Sequence, residues 1–93
     1  MLKYNIQTQK RIEDIFDEIG YTVRYEKGTF NSGYCILEHK KVVVINKFHT
    51  LDAKINSLLE ILFSLEYDKE KLSKTSADFI DAIENKSNRL ELF

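Results

Sequence analysis

The chain has no proline, one cysteine and only three glycines among its 93 residues. Without proline, no slow cis–trans isomerisation step is imposed on folding. A single cysteine forms no internal disulfide, and the N-terminal "MLKYNIQTQKR" has no apolar core of signal-peptide length. No window approaches the ~18 uninterrupted apolar residues of a membrane span. These absences together lead us to expect a reducing, cytoplasmic setting with no membrane partner. Charge of one sign is also scarce: 14 basic residues against 15 acidic ones leave a formal net charge of −1. There is no global basic field to gather nucleic acid and no acidic tail to mimic it.

The apolar fraction is 43%, and five tyrosines and six phenylalanines supply bulk for a core. A chain of this length buries roughly 60–65% of its unfolded surface, which supports one domain over 1–93 with stability on the order of 5–10 kcal/mol. In "NIQTQKRIEDIFDEIG" the residues Ile12, Ile15, Phe16 and Ile19 recur at helical spacing, and Gly20 stands where a left-handed cap belongs. The acids Glu13, Asp14, Asp17 and Glu18 read as solvated helix surface. "YTVRYEK" alternates with period two, setting Tyr21, Val23 and Tyr25 against Thr22, Arg24 and Glu26.

The stretch "RYEKGTFNSGYC" then turns the chain, with Gly28 and Gly33 bracketing the connection. A hairpin follows, with Tyr34 to Glu38 as one arm, His39 to Lys41 near the turn and Val42 to Ile45 as the other. The unbroken Val42–Ile45 run implies a strand buried on both faces, hence central or covered by helices. Tyr25 and Cys35 read as strand residues completing the core, while Arg24, Glu26 and Lys27 are expected to pair across strands. Thr50 opens a second helix, with Asp52 favouring its dipole and Ile55, Leu58, Leu59, Leu62 and Leu65 as its stripe. After a charge-rich loop, Thr75 and Asp78 suggest a capping box for a third helix docked by Phe79, Ile80 and Ile83. The expected fold is α+β: an N-terminal helix, a three-stranded antiparallel meander and two C-terminal helices packed on one face.

Chemistry-bearing motifs are few. The glycines at 20, 28 and 33 match no nucleotide fingerprint. Structural zinc needs four converging ligands, and Cys35, His39 and His49, even joined by Glu38 or Glu60, lack the spacing. A nucleophilic Cys35 needs an adjacent base, and a lone cysteine between tyrosine and isoleucine reads as a small core hydrophobe. We therefore expect no metal, no cofactor and no catalytic residue. The candidate binding residues are Arg24, Lys27, Phe30, Tyr34 and Lys40, a basic and aromatic set able to stack a base and hold phosphate. Phe30 and Tyr34 stand out because folding alone gives no reason for aromatic rings at an exposed turn.

The segment "VVVINKFHTLDAKINSLLEIL" resembles the strand-then-helix core of ImmA/IrrE-type metallopeptidase domains. There a hydrophobic strand ends in Asn, here Asn46, and the following helix carries His-Glu-x-x-His. The likeness spans about residues 5 to 65. Here Glu60 and Ser64 stand at the two histidine positions and Ile61 at the glutamate, so the resemblance implies a metal-free scaffold without peptidase activity. The whole chain also resembles a group of small uncharacterised bacterial proteins, which implies a bacterial cytosolic origin and supplies no activity. The resulting expectation is a non-enzymatic protein that acts through protein–protein contacts, as a homodimer or an accessory subunit. The alternatives are a small nucleic-acid-associated module and a degenerate hydrolase-like scaffold.

Overall fold

The computed structural model describes residues 3–29, 32–37 and 40–91, the side chains of 33–37 and 85–91 excepted. Helix α1 (Ile6–Glu18) begins where the Asn5 side chain accepts a hydrogen bond from the Thr8 amide at 2.9 Å. That bond satisfies one of the amides that a helix start leaves open. The helix ends at Gly20, whose φ of +89° is the left-handed conformation that side chains resist. Its stripe of Ile12, Ile15, Phe16 and Ile19 is buried, as the periodicity implies.

Strands β1 (Tyr21–Glu26), β2 (Gly33–Leu37) and β3 (Lys40–Asn46) form one sheet in the order β1-β3-β2. β2 and β3 are antiparallel, with Tyr34 opposite Val43 and Cys35 opposite Val42. β1 and β3 run parallel, from Tyr21 opposite Lys41 to Glu26 opposite Asn46. The sheet is therefore mixed, and the expected antiparallel meander is overturned. The reason is burial. β3 carries the Val42–Ile45 run, and the central place, paired on both edges, suits the most apolar strand.

To leave that place free, the connection from Glu26 to Gly33 crosses two interstrand spacings, roughly 10 Å, which six residues span easily. Parallel neighbours need a crossover of a dozen or so residues, and here β2 occupies the position in that crossover where a helix is commoner.

A meander would have put β2 at the centre; β3 takes it instead, and the expected burial on both faces holds on one only. Val43 and Ile45 are fully buried, whereas Val42 and Val44 on the other face are half-buried. Helix α2 (Leu51–Ser64) starts at Thr50, whose hydroxyl accepts from the Ala53 amide at 3.2 Å. Its Ile55, Leu58, Leu59 and Leu62 join the α1 stripe and the Val43–Ile45 face in one hydrophobic core, with Ile61 buried beside them. The Phe16 and Tyr21 rings meet edge to face there at 6.2 Å between centroids.

A short 3₁₀ turn, Lys69–Lys71, leads to α3 (Lys74–Glu91), which enters the core through Ile80. The cap of α3 is Ser73 rather than Thr75: the Ser73 hydroxyl accepts from the Ser76 amide at 3.2 Å, and its carbonyl accepts from Ala77. Thr75 and Asp78 are exposed in the first turns of the helix.

Candidate functional site

β1 and β3 are parallel, so both release the chain at the same end of the sheet, and α2 begins there too. Loops leaving the carboxyl ends of parallel strands are where such sheets gather functional groups. Asn46, the last residue of β3, organises this end and is only 4% exposed. Its side-chain amide donates to the Gly28 carbonyl at 3.0 Å, and its side-chain oxygen accepts from the Phe48 amide at 3.0 Å. Its backbone amide donates to the Ser32 hydroxyl at 3.0 Å, while the Lys47 amide donates to the Glu26 carbonyl at 2.9 Å. One buried side chain thus ties the connection after β1 to the turn after β3. The Asn-to-Phe48 bond is an Asx turn, a local side-chain-to-backbone bond that fixes the turn.

This turn displays Phe48 with 68% of its surface exposed. Tyr4 and Ile6, exposed at 43% and 69%, stand at the start of α1, and the Tyr4 hydroxyl donates to Asn56 in α2 at 2.8 Å. Three large apolar side chains are therefore displayed where the two helices begin. Lys27 and Lys47, both exposed, follow directly after the paired ends of β1 and β3. Behind the turn, His49 Nδ1 is buried and has no hydrogen-bond partner among the described atoms. The N-terminus of α2 is poorly suited to an anion, because Thr50 already takes one amide and Asp52 places a carboxylate in the first turn.

The face beneath is pinned by Tyr25. Its hydroxyl donates to Glu13 and accepts from the Gln9 side chain at 2.8 Å, and Lys54 lies 5.8 Å from its ring centroid. Burial first, and then the Glu13 carboxylate, hold the Tyr25 hydroxyl well above its ordinary pKa, although Gln9 opposes this. The Tyr25 hydroxyl donates to Glu13 and so locks α1 to β1. At the far end of the same strand Lys41 lies 5.4 Å from the Tyr21 ring centroid.

The sequence-derived binding set spreads over the sheet. Arg24 pairs in register with Val44, four residues along β3 from Lys40, a separation of about 13 Å. Lys40 begins β3 while Lys27 follows the opposite end of the paired β1, so the two are roughly 20 Å apart. Arg24 bridges to Glu26 at 2.8 Å along its own strand, where a cross-strand pairing was expected. Tyr34 lies in β2 opposite Val43; its side chain, like that of Cys35, lies outside the described residues, as do Phe30, Glu38 and His39. Sequence reasoning did not single out Phe48. The available signal was an aromatic between Lys47 and His49 with no periodic apolar partner.

Among the described residues no group of three His, Cys, Asp or Glu side chains is placed to hold a metal ion, and no helix is long and apolar enough to cross a membrane. At the positions of the metallopeptidase motif, Glu60 and Ser64 are exposed and Ile61 is buried, with the Ser64 hydroxyl donating to the Ile61 carbonyl at 2.7 Å. No family model matches the chain, and no curated protein or solved structure matches it either.

Proposed function

We propose that this is a non-enzymatic interaction protein of the bacterial cytosol, binding a second copy of itself or another subunit through the end of the sheet that displays Phe48. The carrying observation is an exposed aromatic ring on a turn fixed by a buried asparagine. A surface Phe on a flexible loop gives up most of its burial energy to ordering, whereas one held by an Asx turn has little left to lose. Rigid aromatic anchors are what concentrates binding energy in protein interfaces. Tyr4 and Ile6 at the start of α1 are also exposed, and Tyr4 is tied to α2 through Asn56.

Size-exclusion chromatography with light scattering, together with recovery of partners from cell extract, tests the reading. The intact protein is expected to associate, and Phe48→Ala to weaken association about 30-fold, the equivalent of ~2 kcal/mol, with unchanged thermal stability. A strict monomer that recovers no partner would sink the proposal. A second reading draws on the exposed Lys27 and Lys47, which follow the paired ends of β1 and β3, with Phe48 next in the chain, residue types suited to meeting phosphate and stacking a base. Fluorescence anisotropy with single-stranded DNA at low salt separates the two, since electrostatic binding is strongest there.

A further inference from the structure

A groove of about 250 Å³ lies at the other end of α2, between its last turn, the segment that follows and α3. Leu62, Leu65, Phe63 and Tyr67 supply its apolar and aromatic lining. Phe63 is 41% exposed, unusual for a phenylalanine on a helix that buries five apolar side chains. Glu66, Glu84 and Lys69 complete the lining, and Asp81 stands one helical turn before Glu84. Among the described residues no ion pair engages any of the three carboxylates, so with Lys69 counted the groove carries an excess of negative charge. The field reaches the ring: burial first, then Glu84 and Asp81, raise the Tyr67 hydroxyl above its ordinary pKa of 10.0.

A lining that combines apolar side chains, aromatic rings and carboxylates matches one kind of group. A lysine or arginine lays its aliphatic stem on apolar surface while its charged head stays at the wet rim. The head gains from an aromatic face and from carboxylate acceptors. We propose that this groove receives a basic side chain presented by a partner protein. Its open shape favours a tethered side chain over a free amine, because contact on one side recovers too little free energy to immobilise a small molecule alone. The site is separated from Phe48 by the length of α2, about 20 Å, and does not depend on the reading given to that ring.

The test is a ¹⁵N NMR titration with acetyl-Gly-Gly-Lys-Gly-Gly-amide, the same peptide carrying Glu, and butylammonium. The lysine peptide is expected to shift the amides of 62–69 and 81–84 saturably, and the glutamate peptide to leave them unmoved. Glu66→Gln with Glu84→Gln is expected to weaken binding about tenfold, and Asp81→Asn less. Both altered carboxylates line the groove, and an otherwise unchanged spectrum establishes that the variant is folded. Phe48→Ala is expected to leave the titration unaltered, so failure at one end does not mimic failure at the other. Absent shifts, shifts indifferent to the carboxylates, or binding of butylammonium without the lysine peptide would each overturn the assignment.

Discussion

Asn46 holds together two segments that lie far apart in the chain. Its side chain supplies both a donor and an acceptor to backbone groups on either side of it, in a place with almost no access to water. Asn46→Ala therefore strands the Gly28 carbonyl and the Phe48 amide together, at a cost of about 2–3 kcal/mol. Asn46→Asp keeps the acceptor for Phe48 but turns the donor into a charge facing a carbonyl, and is expected to cost at least as much. Urea unfolding of the two variants measures this, and an alanine variant within ~0.5 kcal/mol of the parent would remove Asn46 as the organiser of the site. The sequence shows an asparagine ending a hydrophobic strand, enough to mark a boundary. What it hides is the Gly28 partner, 18 residues earlier in the chain. Phe48 was illegible for the same reason, because its exposure depends on what Asn46 holds.

The helices and the β2–β3 hairpin were legible and the placing of β1 was not, for a physical reason. Asn5, Gly20 and Thr50 act within a few residues of the helix they bound, so the local sequence contains both partners of each cap. Strand alternation assigns faces to Tyr21, Val23 and Tyr25 but carries no information on neighbour or direction, which β3 decides by taking the centre. Glu18 shows the limit within a helix. It sits among four acids that read alike, yet it reaches across to α3, accepting from the Ser73 amide and from the Ser76 hydroxyl at 2.6 Å.

Removal from water opposes ionisation of Glu18, but the Ser73 amide, the Ser76 and Ser73 hydroxyls and the Arg11 charge outweigh it, and the carboxyl titrates below its ordinary 4.5. A carboxyl with a depressed folded pKa stabilises fully above its unfolded value and loses that contribution as pH falls through the folded one. Glu18→Gln is expected to cost about 1 kcal/mol near neutral pH, with the gap to the parent closing below pH 4.5. Urea midpoints across that range check it; a gap that persists in acid would show that the bonds do not require the carboxylate.

At the scale of the whole molecule these links rank the parts by stability. α1 and α2 sandwich their stripes against Val43 and Ile45, and β3 is held by a neighbour on each side. Among its described residues α3 contributes one deeply buried apolar side chain, Ile80, with Phe79 and Ile83 half-buried, and its start depends on the Glu18 clip. Local opening follows such differences in burial, and elements with few buried contacts open below the global free energy. Native-state hydrogen exchange is expected to find the amides of Val43 to Ile45 protected at the global level and those of Ala77 to Glu84 opening earlier. Glu18→Gln should speed exchange in α3 about fivefold while slowing nothing and leaving the ranking of β3 intact. The groove proposed for a basic side chain spans this boundary, with Leu62 on the stable side and Glu84 on the labile one. A partner seated there must therefore suppress the opening of α3, because a ligand that binds only the docked helix stabilises it by mass action. If α3 and β3 exchange at one common free energy, the helix is no separate unit and that coupling has no basis.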